Sequence, residues 1–475
     1  MKKKLKTNKI IKCIYTFILT NCNNWIFDIY FRNKNDTILA ELTPSGRGSI
    51  AVFRISGSLA ENTYTRLVKK KLPSPRTAVI HELYDPERGK IIDVSLFLWF
   101  SSPNSFTGED VLEIHTHGGR AVREATLRAI LSLKGIRLAE PGEFSARAFM
   151  AGRIDLTEAE GVADLVAAET ESQRIQALRQ MGGSLKELYE RWRQKLVSLL
   201  AKIEAEIDFS DEDLPTDLNS VICSETEDLL SEIKNHLNDN KKGQKLREGI
   251  RVVLLGPPNS GKSSLMNILA GRDVAIVSNI SGTTRDIIEI SLDLDGIPAN
   301  ICDTAGIHNA TEEIEKEGIR RSHKEAKISD IKIMILDGEK WPEIPSEIIE
   351  LFDDDTIIIL NKSDLVKNVK EKIVKKTPLS ISCLTLSGIP EFMNQLTEMV
   401  KNRYELGDNP LITRERHRLA VSECYEALKR SLLITEIELK AEDLRQASNS
   451  LARITGRIDI EDVLDIVFKD FCIGK

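Results

Sequence analysis

The sequence contains no Cys-x-x-C pair. Its seven cysteines are scattered over 475 residues, so neither a zinc site nor a disulfide scaffold is indicated. Nor is there a surplus of basic charge. The formal net charge of -7 argues against a globally basic nucleic-acid coat, while leaving room for a local basic patch. The N-terminus has no long apolar run: Ile14 to Thr20 falls far below the roughly 20 residues that cross a bilayer, and Asn21, Cys22, Asn23 and Asn24 interrupt it. Lys2, Lys3, Lys4, Lys6, Lys9 and Lys12 precede that run and imitate the start of a signal peptide, yet no plain small-x-small cleavage site follows. Residues 1–35 are expected to be an atypical extension outside the fold, or the product of a start codon assigned too early. No membrane partner is expected, and the cytoplasm is the expected location.

The rest of the composition is that of a soluble protein, with 41% hydrophobic and 29% charged residues. A chain of this length exceeds one core, so two to four domains are expected. The chain is organised around Val252 to Leu255, an apolar run read as a buried strand, followed by Gly256, Gly261, Lys262 and Ser263 in the pattern G-x-x-x-x-G-K-[ST]. In such a loop successive backbone N–H groups and a helix N-terminus cradle phosphate. Asn259, Ser260, Gly261, Lys262, Ser263 and Ser264 are the expected contacts. Lys262 would reach the β and γ phosphates, and the Ser263 hydroxyl would meet Mg²⁺.

Further motifs follow in order. Ser281-Gly282-Thr283-Thr284-Arg285-Asp286 offers a threonine to Mg²⁺, here Thr284. Asp303-Thr304-Ala305-Gly306 ends a strand; Asp303 would hold Mg²⁺ through water, and Gly306 would give its N–H to the γ-phosphate. Asn361-Lys362-Ser363-Asp364 ends a later one. Asp364 can accept from N1 and N2 of guanine, a match that adenine lacks. Asn361 supports that loop, Lys362 stacks beneath the base, and Ser382-Cys383 forms the last base-contacting turn. The motifs together specify a guanine nucleotide. No glutamine follows Gly306, where Ile307 stands, and no arginine finger is evident. Two local compensations are open: Glu315 orienting the attacking water, or Asn259 holding a monovalent cation beside the phosphates.

Around this domain the pattern changes. From Asp36 to about residue 150 strands are expected at Thr37–Leu42, Ile50–Ile55, Ile91–Phe100 and Val111–His117, then a helix from Arg120. His115 and His117 share a strand face with Glu113; lining a cleft or sitting satisfied near a turn suits them better than a metal, for want of a third ligand. Helical spacing covers Leu156–Glu169, Glu171–Asp208 and Asn219–Asn238, and resumes after 403. The Asn238–Gly243 stretch reads as a linker. Lys241–Arg251 is a modest basic run, either an RNA contact or a solvated face. Cys472 lies near the chain end, either exposed and reactive or buried. The expected fold is an α/β and α multidomain chain: 36–150 an α/β domain, 151–245 the first helical part, 246–403 a Ras-like GTPase domain inserted in the helical domain, and 404–475 the second helical part, packing on the first.

AVFRISG at 51–57, FTGEDVLEIHTHGG at 106–119, PGEFSARAF at 141–149, RIDLTEAEGVADL at 153–165 and the terminal FCIGK, with the nucleotide motifs, resemble the MnmE/TrmE family of tRNA-modification GTPases over residues 36–475. The resemblance implies a GTP hydrolase that, with an FAD-binding, NADH-using partner in a heterotetramer, adds an aminomethyl or carboxymethylaminomethyl group to C5 of the wobble uridine of certain tRNAs. It implies an N-terminal domain that makes a homodimer and binds 5,10-methylenetetrahydrofolate, with 5-formyltetrahydrofolate as analogue, through Arg54, Glu113 and Arg153, and Lys475 nearby. It further implies a role for Cys472 in modification, Glu315 as the water-orienting glutamate, and potassium held by Asn259, Ser278, Ile280 and Thr283. Departures from the family pattern are Arg153 for a common lysine, Ser278 for threonine, His308 for arginine, and Cys383-Leu384 in the last base loop. The alternatives are a ribosome-assembly GTPase, which would not need the folate-like N-terminus or the FCIGK tail, and a GTP-dependent interaction switch, which folate binding would separate from the modification reading.

Overall fold

The computed structural model describes residues 36–44, 46–208, 218–239, 241–272, 275–276, 289–303, 323–342, 344, 349–366, 377–404, 407, 409–458, 464, 467–468, 471 and 474. By contact these form two compact units, one of residues 36–160 and 452–475 and the other of 161–451.

The first unit is built on a six-stranded sheet. Its strands are β1 (Thr37–Glu41), β2 (Ile50–Ser56), β3 (Val79–Tyr84), β4 (Ile91–Phe100), β5 (Val111–His117) and β6 (Ile136–Leu138), in the order β3-β4-β5-β2-β1-β6. Only the β1–β6 pair is parallel. Alternation along each strand sends successive side chains to opposite faces. Phe53, Ile55, Phe97, Trp99, Leu112 and Ile114 bury one face with Tyr64 and Leu67 of α1 (Ala60–Val68) and Ala129 and Ile130 of α2 (Arg120–Leu131). The other face carries Arg54, Glu113 and His115. Gly142 precedes α3 (Glu143–Met150) at φ 69°, and a Cβ there would sit 2.4 Å from the Phe468 carbonyl oxygen. Residues 452–475, expected with the second helical part, group with this unit because Phe468 and Gly474 pack against it: Phe468 on Phe149, and Gly474 on Leu42.

In the second unit α4 (Leu156–Ala167), which begins in the first, leads to α5 (Glu171–Met181), α6 (Ser184–Asp208) and α7 (Leu218–Leu237). The helical spacing expected over Glu171–Asp208 forms two helices, broken at Gly182-Gly183, where Gly183 takes φ 89°. A capping box between Thr170 and Gln173 starts α5. Lys195–Glu232 and Lys202–Glu225 fix α6 and α7 antiparallel. Of the expected linker Asn238–Gly243, Lys242 and Gly243 open α8 (Lys242–Glu248), and Lys241 is its N-cap.

A seven-stranded sheet follows: β7 (Ile250–Leu255), β8 (Ala275–Ile276), β9 (Glu289–Leu294), β10 (Ile297–Asp303), β11 (Ile331–Asp337), β12 (Thr356–Asn361) and β13 (Leu379–Ser380), ordered β13-β12-β11-β7-β10-β9-β8. The strands from β13 to β10 are parallel, and β9 and β8 add antiparallel. After α9 (Lys262–Ala270) and α10 (Ile389–Tyr404), the chain returns to helices α11 (Glu415–Leu433) and α12 (Ile437–Thr455). It enters and leaves the sheet segment at one place. Gly243 lies against Leu411 and Ile412, Gln244 donates to Glu415 at 2.8 Å, and Arg418 bonds the Leu237 carbonyl and Asp239. Close ends are what an inserted domain requires.

Candidate functional site

The phosphate loop leaves β7, whose neighbours are β10 on one side and β11 on the other. The chain crosses from β10 on one side of this strand to β11 on the other, a switch point whose crevice opens at the carboxyl end of β7. The loop fits only glycine at two points: a Cβ on Gly256 would stand 2.1 Å from the Ile335 carbonyl oxygen, and one on Gly261 would stand 2.0 Å from Asn361 Nδ2. Lys262 is buried, and its Nζ donates to the Gly256 and Pro257 carbonyls at 2.8 and 2.9 Å. Burial holds its pKa below the ordinary lysine value, and the Asp303 carboxylate acts in the opposite sense. Ser263 Oγ donates to Asp303 Oδ2 at 3.3 Å. A hydroxyl at the start of α9 and a carboxylate at the end of β10 thus meet beside the loop, a hard-oxygen pair suited to Mg²⁺.

The base loops are tied to the phosphate loop by one side chain. Asn361, buried at the end of β12, donates from Nδ2 to the Ser260 carbonyl at 2.9 Å, and its Oδ1 accepts from Cys383 N–H at 3.1 Å. Lys362 takes φ 63° and donates to Asp337 Oδ2 at 2.6 Å. Burial pushes the Asp337 carboxyl upward, but Lys362 and the Glu339 N–H outweigh it and hold the carboxyl below its usual range. Asp364 is exposed, and its Oδ1 accepts from Ser382 Oγ at 2.5 Å. Burial pushes the Cys383 thiol up.

The sheet of the first unit carries a second cluster. Arg54 and Glu113 are register partners on β2 and β5, joined by Nε–Oε1 at 3.0 Å. The Arg54 guanidinium lies over the Phe106 and Phe144 rings, 5.6 and 5.7 Å from their centroids. His115 Nε2 stands 3.6 Å from Glu113 Oε2. Arg153 is exposed, and a Cβ on Gly108 would come within 3.6 Å of its Cγ. His117 turns away to Asp93, with Nδ1 at 2.8 Å from Oδ1. Among the described residues no group of three or more His, Cys, Asp or Glu could hold a metal.

The family of the MnmE helical domain matches residues 156–472, and that of the GTP-binding protein TrmE N-terminus matches 37–153. A tRNA modification GTPase MnmE of Paramagnetospirillum magneticum is 47% identical over 442 residues, covering 93% of this chain and 100% of the relative. Those of Parvibaculum lavamentivorans and Rickettsia bellii are 46% and 43% identical, each covering 93% of this chain and 100% of the relative. The chain belongs to the MnmE/TrmE family of tRNA-modification GTPases.

Within this MnmE/TrmE chain the structure brings together Asn259 to Ser264, Asp303, Asn361, Lys362, Asp364, Ser382 and Cys383 in one site, and Arg54 with Glu113 in the other. Ser278, Ile280, Thr283, Thr284, Thr304, Ala305, Gly306, Glu315, Cys472 and Lys475, and the departure His308, lie outside the described residues. Sequence reading missed Asp337 as the partner of Lys362, and Phe106 and Phe144 as the floor under Arg54. Asp337 had a signal, since it ends a strand beside the nucleotide loops; the two rings stood inside recognised motifs without any pattern marking them. The basic run Lys241–Arg251 is engaged inside its own unit, through Lys245–Asp330, Arg247–Asp164 and Arg251–Glu325.

Proposed function

We propose that this chain is a potassium-activated GTPase that, with an FAD-dependent partner in a heterotetramer, adds an aminomethyl or carboxymethylaminomethyl group to C5 of the wobble uridine of certain tRNAs. It is a GTP-binding hydrolase of tRNA processing, dependent on Mg²⁺. The observation that carries the finer reading is the seat of Gly474. A Cβ there would lie 2.8 Å from Leu42 Cδ2 and 3.5 Å from the Ala40 Cβ, and Ala40 is the register partner of Arg54. Gly474 therefore lies on the strand next to the Arg54–Glu113 cluster, which supports a reading in which Cys472 and Lys475 would serve a folate-borne carbon there. Residues 36–150 are the folate and dimer domain in this reading, 151–245 and 404–475 the helical parts, and 246–403 the GTPase domain, in the cytoplasm. Ile50, Ile80 and Val94, exposed on the sheet face opposite the helices, suit a second copy of the chain. Mass spectrometry of wobble uridines in a strain lacking the chain tests the reading; unaltered uridine C5 modification would overturn it.

The folate site makes a separate prediction. Arg54 is cationic, stacked on two rings and ion-paired to Glu113, so it suits the carboxylate tail of a folate, with Glu113 accepting from the pterin. Arg54→Ala is expected to weaken 5-formyltetrahydrofolate binding about tenfold or more, the size of a lost charge-assisted hydrogen bond, with GTP binding untouched. Calorimetry checks it, and equal folate affinity would remove Arg54 from the site.

Potassium is the other test. Charge developing between the β and γ phosphates needs a cation where no arginine finger is evident. Asn259 is exposed at φ 62°, and its side chain makes no hydrogen bond to the described loop, leaving its amide oxygen to a ligand. Single-turnover hydrolysis is expected to be about tenfold or more faster in potassium than in sodium or caesium chloride at one ionic strength. Asn259→Ala should lose most of that difference and still bind GTP, and Glu315→Ala should bind GTP and the cation but hydrolyse slowly. Equal rates in the three salts would remove Asn259 from the cation site.

A further inference from the structure

The second half of α1 and the turn after it gather positive charge on a chain whose net charge is negative. Arg66, Lys69, Lys70 and Lys71 are all exposed, and with Thr65 and Pro86 they line one open groove of about 490 Å³. None of the four forms an ion pair with a described carboxylate. Lys69, in a left-handed conformation at φ 58° as the C-cap of α1, lays its Nζ 4.4 Å from the centroid of the Tyr84 ring. Lys70 Nζ donates to His81 Nδ1 at 3.0 Å, and burial together with the Lys70 charge keeps that imidazole below its ordinary pKa. Two nearby carboxylates are engaged elsewhere: Glu82 takes the Tyr84 hydroxyl, and Asp85 accepts the Glu87 and Arg88 N–H groups within its own turn. Arg88 and Arg128 flank that turn and depress the Asp85 carboxyl, though the Arg88 N–H bond is the larger cause.

A helix C-terminus already favours cations, which explains why one or two would sit there. It does not explain four converging on a single groove with Glu82 and Asp85 drawn away from them. We infer that this groove grips the phosphate backbone of tRNA. The inference rests on the tRNA-modification reading and adds where the RNA is held. The groove's lining, three lysines and an arginine with Thr65 and Pro86, includes no amide side chain, and such charge binds phosphate irrespective of sequence. The contact therefore supplies affinity and position, and selection of the wobble uridine falls to other groups.

The test is fluorescence anisotropy of labelled tRNA with the full chain, repeated from about 50 to 200 mM salt, the range over which such contacts weaken steeply. Arg66→Gln/Lys70→Gln/Lys71→Gln removes three charges and leaves Lys69 on its ring. The slope of log affinity against log salt is expected to become shallower by about 2 to 3, from roughly 0.7–0.9 per phosphate contact. Affinity at the lowest salt should fall roughly 10- to 100-fold on the same account, equally for modified and unmodified tRNA species, with basal GTP hydrolysis unchanged. The charge-keeping variant Arg66→Lys/Lys70→Arg/Lys71→Arg should retain the wild-type slope. An unchanged slope in the glutamine variant overturns the inference, as does a loss confined to one tRNA sequence. Retained tRNA binding with loss of an acidic protein partner would make the groove a protein surface and overturn it too. Wild-type protein that binds no tRNA overturns the groove, while uridine analysis in the deletion strain reports separately on the modification reading.

Discussion

Glu143→Ala is expected to cost the first unit about 3–5 kcal/mol, the range seen when one partner of a buried ion pair is removed. Glu143 is 5% exposed and takes a bidentate pair of bonds from Arg137, at 2.8 and 2.7 Å, and one from Arg147 at 3.0 Å. Arg147 is itself 6% exposed; it also reaches Glu109 Oε2 at 3.0 Å and the Asp36 carbonyl at 2.9 Å. Without Glu143 two guanidinium groups lose their shared counter-charge, and Arg147 cannot turn to water. Glu143→Met/Arg147→Met should be less destabilising than Glu143→Ala, since removing both charges relieves the desolvation that either single change exposes. The same cluster sets an acid limit. Burial pushes the Glu143 carboxyl up, but the bonds from Arg137 and from the Glu140 N–H, with the charge of Arg147, outweigh it, and its folded pKa lies below the unfolded one. Its contribution is therefore complete above the unfolded glutamate pKa and is lost as pH falls through the depressed folded value. Urea denaturation of wild type and both variants, at neutral pH and at a pH below the ordinary glutamate range, checks this. A single variant as stable as wild type would show the network to be neutral.

That cluster shows what sequence could and could not reveal. PGEFSARAF marked the family, but nothing in the string says that Gly142 is pressed on Phe468, that Phe144 lies under Arg54, or that Glu143 and Arg147 close a network with residues 36, 109 and 137. Apart from Arg137, six residues before Glu143, those partners are distant in sequence, and only the fold brings them together. The nucleotide site was more legible because its parts are short contiguous loops at strand ends, each needing particular residue types. Even there, the tie from Asn361 to Ser260 spans 101 residues and needed the structure.

Secondary structure followed the same division. β4 and β5 were read with their observed bounds, since long alternating runs leave little choice of face. β3 and α1 went unread: β3 is an edge strand with exposed Ile80 and Glu82, and α1 is nine residues of mixed polarity. β9, Glu-Ile-Ser-Leu-Asp-Leu, alternates cleanly and was legible in principle. The break at Gly182-Gly183 was hidden because helical spacing resumes on both sides of it.

Asp364→Asn should lower GTP affinity by about 100-fold or more, because two charge-assisted hydrogen bonds at roughly 1.5–3 kcal/mol each are at stake, with each 1.4 kcal/mol worth tenfold. Ser382 Oγ donates to one oxygen of Asp364 and accepts the Thr385 N–H at 3.2 Å, which fixes the carboxylate's orientation. In the asparagine variant the amide oxygen can keep the Ser382 bond, and the amide nitrogen then faces the base as a donor. Guanine presents donors at N1 and N2, so donor meets donor. Xanthine presents N1–H and a carbonyl at C2, which an amide matches if it offers its oxygen to the first and its nitrogen to the second. The variant should therefore bind xanthosine triphosphate more tightly than GTP, reversing the wild-type order. The phosphate loop is untouched by the change: Asn361 still bonds the Ser260 carbonyl, and Lys262 keeps its carbonyl partners. A general loss of both nucleotides would point to a disturbed loop. Unchanged GTP affinity would sink the assignment of Asp364 to the base. Fluorescence titration with the two nucleotides on both proteins distinguishes the outcomes, and only an inverted preference follows from the geometry of the carboxylate.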